Sequence, residues 1–251
     1  MLNYPKVLPP FVYICGAGPG DPGLLTLKTY ELLKNSAEVV VYDRLIDERI
    51  LELIPDHVEK IYAGKSCRNH HMTQDEINEL LVKTASQNKI VVRLKGGDPF
   101  IFGRGGEEML HLIKHNINFE IVPGVNAADG CAAYLNIPLT HRGIASSVMF
   151  LTGHQQKNLK LNLDYDNIVA PDRTLVLYMG LTNLESIAQN LILHGLDENT
   201  ACVAIQNGTT DKQKQCFAAL HNIYEKTKEQ NFISPTIIII GDVVSLTRSA
   251  A

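Results

Sequence analysis

The chain of 251 residues is 45% hydrophobic and 20% charged, which is typical of a globular protein with a core large enough for one or two domains. Its 23 basic and 27 acidic residues give a net charge of −4, which excludes the broad basic surface of a nucleic-acid-binding protein. Aromatic residues make up only 6% and Trp is absent, so a stacking surface for single-stranded bases is excluded as well.

In the first half of the chain, short β-branched runs alternate with segments of helical period. The helix over Thr73–Gln87 has the strongest signal, because Thr73 and Glu76 form a capping box. The predicted strands are Phe11–Cys15, Glu38–Tyr42, Val58–Ala63, Ile90–Leu94 and Phe119–Val122, and the other predicted helices are Thr26–Asn35 and Glu107–His115. Alternation of this kind predicts an α/β fold with functional sites at the carboxyl ends of the strands.

Pro123 and Gly124 interrupt the pattern and mark a candidate boundary between an N-terminal α/β domain (11–122) and a C-terminal α/β domain (123–251). Beyond it we predict strands near Val148–Thr152, Thr174–Met179, Cys202–Gln206 and Thr236–Ile240, and helices near Ala127–Leu135, Asn183–Leu193 and Leu220–Glu229. The polar segment Gln155–Asp172 is predicted to be a mobile loop. The second half is less regular, which is compatible with a mixed sheet.

The cysteines and the chain's apolar runs indicate its compartment. Five scattered cysteines without a CxxC pair are typical of reduced thiols in the cytoplasm. Cys67, His70 and His71 resemble half of a metal site, but no second half with ligand spacing follows, so no metal is expected. The N-terminal segment has prolines where a signal peptide is apolar, and the aliphatic run Ile237–Ile240 is too short to span a bilayer. We therefore expect a cytoplasmic protein without membrane contacts.

The first candidate binding segment, GAGPGD at 16–21, follows a predicted strand. Its glycines favour either a dinucleotide-binding loop or a tight strand-to-helix turn. The dinucleotide interpretation is weakened because Asp21 stands where GxGxxG has its third glycine, and because Pro19 and Pro22 remove two N–H donors.

Asp43, at the end of the second predicted strand, has three interpretations. It is a ribose-binding acid in a dinucleotide protein, a general base that faces a cleft, or a helix cap.

The second candidate binding segment, RLKGGDPFIFGRGGEE at 93–108, contains five glycines in eleven positions between a strand and a helix. Such a run is costly in chain entropy unless the backbone must bend sharply or contact a ligand. Phe100, Ile101 and Phe102 are candidates for a pocket wall, and Arg104 and Glu107 lie at the entrance of the next helix.

Together with shorter segments, these motifs resemble the uroporphyrinogen-III C-methyltransferase family from about Val12 to Val244. The long glycine run is the most specific motif. The order of the segments matches as well: GAGPGD, YDRL, RLKGGDPFIFGRGGEE, VPGV, NIPLTHR, TGH, YMGL, QNGT and SPTIIIIG.

The resemblance implies a two-lobed α/β methylase of the tetrapyrrole methylase type, usually a homodimer, with the active site in the cleft between the lobes. It implies that S-adenosylmethionine (SAM) donates two methyl groups in turn to uroporphyrinogen III, giving precorrin-2 for siroheme, cobalamin or haem d₁. Carried over by position, the SAM contacts are Pro19, Gly96, Gly97, Asp98, Ile101, Asn126, Ala127, Met179 and Gly208. The chain is expected to stop at precorrin-2, without the module that some siroheme synthases carry.

The family's chemistry also suggests the catalytic and substrate-binding residues. The methylated ring must lose a proton, for which Asp43 ranks first, with Lys65 assisting and Arg104–Glu107 as a second pair. The polycarboxylate substrate requires local positive charge in an acidic protein. The candidates to supply it are Arg44, Lys65, Arg104, His141 and Arg142.

Two rival interpretations remain. A nucleotide-dependent oxidoreductase would use the first glycine loop and Asp43, but it leaves the second glycine run unexplained. A sensor that binds SAM or a tetrapyrrole without catalysis would account for departures from the family pattern. Asn126 stands where a hydroxyl residue is usual, Ser66 where Arg is common and Gly143 where Asp is common.

Overall fold

The computed structural model describes residues 8–64, 72–154 and 163–250 of the chain, without the side chains of 248–250. These residues form two compact units that meet in the sequence between Asn126 and Ala127, just after the predicted break at Pro123. Lys65, Ser66, Cys67, His70 and His71 lie outside the described residues.

The first unit is built on a sheet of five parallel strands in the order β3-β2-β4-β1-β5. The strands are β1 (Phe11–Gly16), β2 (Val39–Tyr42), β3 (Glu59–Tyr62), β4 (Ile90–Lys95) and β5 (Asn118–Val122). Its helices are α1 (Leu27–Asn35), α2 (Glu48–Leu51), α3 (Gln74–Ala85) and α4 (Gly105–Lys114). Because all five strands are parallel, the turns that follow them leave the sheet at one edge.

Both faces of this first sheet are covered, which explains why its central strands are apolar throughout. Alternate residues of β1 enter different cores: Tyr13 and Cys15 pack with Val92 and Leu94 on one face, and Val12 and Ile14 pack with Val91 on the other. Successive side chains of a strand point to opposite faces of the sheet, so each central strand contributes to two hydrophobic layers.

The second unit contains a mixed sheet in the order β6-β7-β10-β8-β9, in which only β6 and β7 are parallel neighbours. The strands are β6 (Ser147–Thr152), β7 (Arg173–Tyr178), β8 (Ala201–Gln206), β9 (Lys214–Ala219) and β10 (Thr236–Ile240). Its helices are α5 (Ala127–Tyr134), α6 (Tyr165–Ile168), α7 (Leu184–Leu193) and α8 (Ile223–Glu229). The aliphatic run Ile237–Ile240 is the buried central strand of this sheet.

The capping box predicted for α3 is confirmed. Thr73 Oγ1 accepts a hydrogen bond from the Glu76 amide at 3.2 Å, and Glu76 Oε2 accepts one from the Thr73 amide at 2.6 Å. These bonds satisfy two N–H groups that the first helical turn leaves without partners.

Three short elements depart from the sequence prediction. α2 and β9 were not predicted, because α2 is a single turn and β9 (KQCFAA) lacks β-branched residues. The predicted loop Gln155–Asp172 is wrong at Tyr165–Ile168, where α6 forms one helical turn; residues 155–162 lie outside the described residues.

The described cysteines, Cys15, Cys131, Cys202 and Cys216, are buried and make no disulfides among themselves. Burial raises the pKa of the Cys131 thiol to about 12, so it stays protonated near neutral pH. Among the described residues, no helix combines the length and the apolar character that a transmembrane span needs.

Candidate functional site

Four turns of the first unit leave the sheet at one edge, and they carry most of its predicted site residues. They begin at the carboxyl ends of β1, β2, β4 and β5, which are hydrogen-bonded neighbours in the sheet. The parallel topology therefore brings together segments that are far apart in the sequence: the GAGPGD loop, Asp43, the second glycine run and Gly124.

Three of these turns touch through their backbones. Gly18 and Gly97 form a two-way bridge, with N···O distances of 2.7 and 3.2 Å. A Cβ added to Gly16 would lie 2.6 Å from both Gly124 Cα and the Gly97 carbonyl oxygen, and one added to Gly124 would lie 2.4 Å from the same oxygen. No side chain fits at either position, so glycine is required there by close approach.

Asp98 fastens the second glycine run to the turn after β5. Its Oδ1 accepts a hydrogen bond from the Phe100 amide at 2.8 Å, and its Oδ2 accepts one from the Gly124 amide at 3.1 Å. Both carboxylate oxygens of this expected SAM contact thus hold backbone, which makes Asp98 a residue that shapes the turn.

The geometry of the GAGPGD loop is unlike that of a dinucleotide-binding loop. Asp21 caps a short 3₁₀ turn at Pro22–Leu24 by accepting a hydrogen bond from the Gly23 amide at 2.7 Å. α1 begins only at Leu27, capped by Thr26, so its N-terminus does not follow the glycines directly. A dinucleotide loop needs that helix start to receive the pyrophosphate, so this loop does not support the oxidoreductase interpretation, which keeps Asp43 as its main support.

A cluster of charged side chains lies beneath the same edge. Glu108 of α4 is fully buried, and its Oε1 accepts hydrogen bonds from Arg93 Nε at 3.0 Å and Lys95 Nζ at 2.9 Å. Gln74 Nε2 of α3 donates to the same oxygen at 3.3 Å. The cluster therefore links β4 with two helices through one carboxylate.

Burial and then the charge of Arg93 hold the pKa of Lys95 below its ordinary value, while Glu108 acts in the opposite direction. Two cations that face one carboxylate at close range make that carboxylate essential to the cluster.

Asp43 is attached to this cluster at its solvent side. Its Oδ1 accepts a hydrogen bond from the Leu45 amide at 3.0 Å, and its Oδ2 lies 3.4 Å from Arg93 Nη2. The side chain is 26% exposed, so the carboxylate is oriented by the protein and still reaches solvent. It caps the turn at Leu45, whereas the N-cap of α2 is Asp47.

Arg104 and Glu107 form a bidentate ion pair at the start of α4. Arg104 Nε and Nη2 donate to the two oxygens of Glu107 at 2.7 and 2.6 Å, and about half of each side chain is exposed. The pair raises the pKa of Arg104 and lowers that of Glu107. Arg104 and Phe102 both have left-handed backbone conformations, with φ of 59° and 52°. This conformation is uncommon for residues other than glycine, and it sets the directions of the two side chains.

In the second unit, the ends of β7 and β8 lie at one edge of the sheet. Both strands pair antiparallel with β10, and Tyr178 and Gln206 both lie opposite its start. Met179 and Gly208, which follow these strands, therefore lie at the same edge. The Tyr178 hydroxyl accepts a hydrogen bond from the Ala128 amide at 3.0 Å, which brings the start of α5, with Ala127, to this edge.

Two of the expected SAM contacts at this second edge, Met179 and Gly208, have unusual local geometry. Met179 has φ of 53° and is 48% exposed, so its thioether side chain is presented rather than packed away. A Cβ on Gly208 would lie 2.2 Å from Cys131 Sγ, so glycine is required where the loop passes over α5.

His141 and Arg142 lie in a tight turn between α5 and β6, where the backbones of His141 and Ala145 pair. Gly143 in this turn has φ of 83°, a conformation that explains a glycine where the family pattern has Asp. Arg142 is exposed, as is Arg44 beyond β2 in the first unit.

The expected residues thus divide between two edges, one in each unit. Pro19, Asp43, Gly96, Gly97, Asp98, Ile101, Arg104, Glu107 and the half-buried Asn126 belong to the first unit, and Ala127, Met179 and Gly208 belong to the second. Lys65 lies outside the described residues. None of these residues lines the 340 Å³ cavity of the second unit, which is surrounded by residues such as Pro171, Leu196 and Asp242.

The sequence analysis missed the supporting residues Arg93, Lys95, Glu108 and Tyr178. The sequence did contain a signal for the buried cluster: Arg93 and Lys95 are charged residues at alternate positions of an otherwise apolar strand. Charged side chains in such positions need a buried counter-charge. Nothing in the sequence indicated that the counter-charge is Glu108 rather than its neighbour Glu107.

Comparisons with known proteins agree with this architecture. Residues 12–223 match the family model of the tetrapyrrole (corrin/porphyrin) methylases. The chain is 52% identical over 235 residues to a siroheme synthase of Acinetobacter baylyi and 49% identical over 240 residues to one of Nitrosospira multiformis. These matches cover 94% and 96% of this chain but 51% and 50% of the relatives, so the chain spans about half their length.

A solved structure of a uroporphyrin-III C-methyl transferase from Thermus thermophilus, complexed with S-adenyl homocysteine, is similar over almost the whole chain. The two are 40% identical with a TM-score of 0.80, and the match covers 94% of this chain and 93% of the other. The predicted α/β architecture with two sheets is therefore confirmed.

The contact between the glycine turns can be tested with Gly124→Ala. We expect the variant to lose about 2 kcal/mol or more of unfolding free energy in urea, because the new Cβ overlaps the Gly97 carbonyl oxygen. Gly106→Ala is the matched control, because a Cβ there meets no atom within 4 Å and alanine favours the helix. Equal stability of the two variants would contradict the close contact.

Glu108→Gln tests the buried charge cluster. We expect the variant to lose about 3–5 kcal/mol of unfolding free energy near neutral pH, because the buried Arg93 and Lys95 lose the carboxylate that faces both of them and only the partly exposed Asp43 remains beside Arg93. The exposed neighbour supplies the control, since Glu107→Gln should cost less than about 1 kcal/mol.

The same variant has an expected pH dependence. The pKa of Lys95 is lower in the folded chain than in the unfolded chain. At a pH between these two pKa values, Lys95 binds more protons in the unfolded chain than in the folded one. The stability of the folded chain therefore rises with pH in this range. Removal of Glu108 lowers the Lys95 pKa further and widens this window. The deficit of Glu108→Gln should therefore be smaller at about pH 9.5 than at about pH 7 in urea titrations, and a deficit that grows with pH would refute the assignment.

Proposed function

We propose that this chain, which belongs to the tetrapyrrole methylase family, is a SAM-dependent C-methyltransferase that converts uroporphyrinogen III to precorrin-2. The reaction adds methyl groups at two ring positions, passes through precorrin-1 and leaves S-adenosylhomocysteine. The observation that carries the proposal is the match, over nearly the whole chain, to a uroporphyrin-III C-methyl transferase whose structure contains the demethylated donor. The product would feed siroheme, cobalamin or haem d₁ synthesis.

The proposed donor contacts are the residues that the resemblance to the family carries over. In the first unit they are Pro19, Gly96, Gly97, Asp98, Ile101 and Asn126, and in the second unit they are Ala127, Met179 and Gly208. SAM supplies a methyl group from a positively charged sulfonium, which favours backbone carbonyls and apolar surface. These residues fit such a group, because none of them carries a positive charge and Met179 presents an exposed thioether.

The chain's main contribution to rate is positioning. The acceptor carbon belongs to an electron-rich ring, so no strong base is needed before attack, and in-line alignment of donor and acceptor carries most of the effect. Alignment of this kind reaches effective molarities of about 10⁵–10⁸ M. The crossing of Gly16, Gly97 and Gly124 makes one part of this surface rigid, because three backbones fix one another there.

Asp43 is the proposed acceptor of the proton that the methylated ring must lose. Leu45 holds one carboxylate oxygen and Arg93 lies beside the other, so the group is oriented without being enclosed. Lys65 is proposed to assist the transfer, and the Arg104–Glu107 pair is the second candidate for it.

Binding of the polycarboxylate substrate is assigned to Arg44, Arg104, His141 and Arg142. Arginine suits this role because its guanidinium pairs with a carboxylate through two parallel hydrogen bonds. Arg104 already makes this arrangement with Glu107, so a substrate carboxylate would compete with Glu107 for the same donors. We further propose that the protein is a cytoplasmic homodimer.

The reaction itself is tested by anaerobic incubation of the pure chain with uroporphyrinogen III and SAM labelled in its methyl group. We expect label in the macrocycle together with the absorbance of a dihydro-tetrapyrrole. Binding of both compounds without transfer would contradict catalysis and support a sensor. Binding of NADH without binding of SAM would support the oxidoreductase.

The division of labour between the sites is tested with Arg104→Ala. We expect substrate binding to weaken by at least about tenfold while S-adenosylhomocysteine binding changes little, because the lost hydrogen bonds are to carboxylates of the ring. The control is Arg49→Ala, which removes another partly exposed, ion-paired arginine from outside the proposed site. Equal losses of both ligands in calorimetry would refute the separate roles.

A further inference from the structure

A cluster of two histidines and one glutamate lies in the first unit, where α3 packs beside α4. His111 lies on α4, His115 caps the end of that helix one turn later, and Glu79 belongs to α3. Their candidate ligand atoms all lie within 4.8 Å of one another. The three residues belong to none of the segments discussed above as donor or substrate contacts.

The histidine rings are oriented for ligation. His115 Nδ1 lies 2.9 Å from the His111 carbonyl oxygen, so Nδ1 carries the proton and Nε2 keeps its lone pair. A hydrogen bond of this kind, from the second ring nitrogen to a carbonyl, commonly fixes the orientation of a metal-bound histidine. The two rings lie with centroids 4.4 Å apart and planes inclined by 36°.

His111 has a buried nitrogen that lacks a hydrogen-bonding partner. Its Nε2 lies 3.0 Å from Glu79 Oε1, yet among the described residues the atom makes no hydrogen bond of acceptable geometry. A buried polar atom without such a bond is costly unless another group satisfies it. A cation between Nε2 and the carboxylate would satisfy both atoms.

We propose that Glu79, His111 and His115 form a binding site for a divalent transition-metal ion, with zinc as the best match. Two imidazoles and one carboxylate are a common protein ligand set for zinc, with bond lengths of about 2.0–2.2 Å and a fourth position for water. Glu79 Oε1 and His111 Nε2 already lie 3.0 Å apart, so any further approach that closure around the ion requires falls to His115.

The site would connect α3 to α4 through a bond that is independent of the hydrophobic core. One turn earlier along α4, Glu108 accepts a hydrogen bond from Gln74 of α3, so the two helices are already joined at the buried charge cluster. A bound ion would add a second connection nearer the surface. We infer that zinc stabilises the helix pair that carries Arg104 and Glu107 at its end.

The proposal is tested by calorimetric titration of the full chain with zinc chloride. The wild-type chain is expected to bind one ion, and His115→Ala and Glu79→Gln should each weaken binding by at least about tenfold. His57→Ala, which removes an exposed histidine elsewhere, and Cys67→Ser, which removes a cysteine next to His70 and His71 in the sequence, should leave the affinity unchanged. Circular dichroism verifies that each variant is folded.

A second measurement separates a ligand role from a structural one. Zinc should raise the melting temperature of the wild-type chain and of His57→Ala but not that of His115→Ala, since only a bound ligand stabilises the folded state. Absence of zinc binding, equal affinity in His115→Ala, or loss of binding in Cys67→Ser would each overturn the proposal. None of these readouts depends on methyl transfer, so failure here is distinct from failure of the proposed function.

Discussion

The contact among three backbone turns at the carboxyl edge of the first sheet is the constraint on which the rest of the site depends. Gly16, Gly97 and Gly124 approach so closely that no Cβ fits at Gly16 or Gly124, and Gly18 and Gly97 exchange backbone hydrogen bonds. Asp98 then holds its own turn with Oδ1 and joins it to the turn after β5 with Oδ2. The glycine-rich segments are therefore rigid where they meet, although glycine alone would favour flexibility.

This rigidity is supported from below by the buried charges. Arg93 and Lys95 place two positive charges at the end of β4, and both donate hydrogen bonds to Glu108 of α4. Arg93 also lies beside Asp43. One carboxylate thus fixes the start of α4 and, through Arg93, the orientation of Asp43. The arrangement accounts for why the second glycine run is flanked by charged residues on both sides: they hold it in place.

The regular part of the fold was predictable because its signals are local. β-branched runs, the capping box at Thr73 and Pro123–Gly124 gave the central strands, α3 and the approximate division of the chain. β9 was not predictable, because KQCFAA is a strand only through its pairing with β8. Residues of the candidate site could be proposed from the sequence where a motif or a glycine run marked them. The partners of those residues were not, because Glu108 meets Arg93 and Tyr178 meets Ala128 only after the chain has folded.

The proposed binding of the methyl donor depends on these glycine turns. A crystal structure of the chain with S-adenosylhomocysteine tests it most directly. We predict that the ligand contacts the backbone of Gly96, Gly97 and Asp98, and that the turns keep their mutual hydrogen bonds. A ligand bound elsewhere on the chain, without contact to the Gly96–Asp98 turn, would contradict the claim.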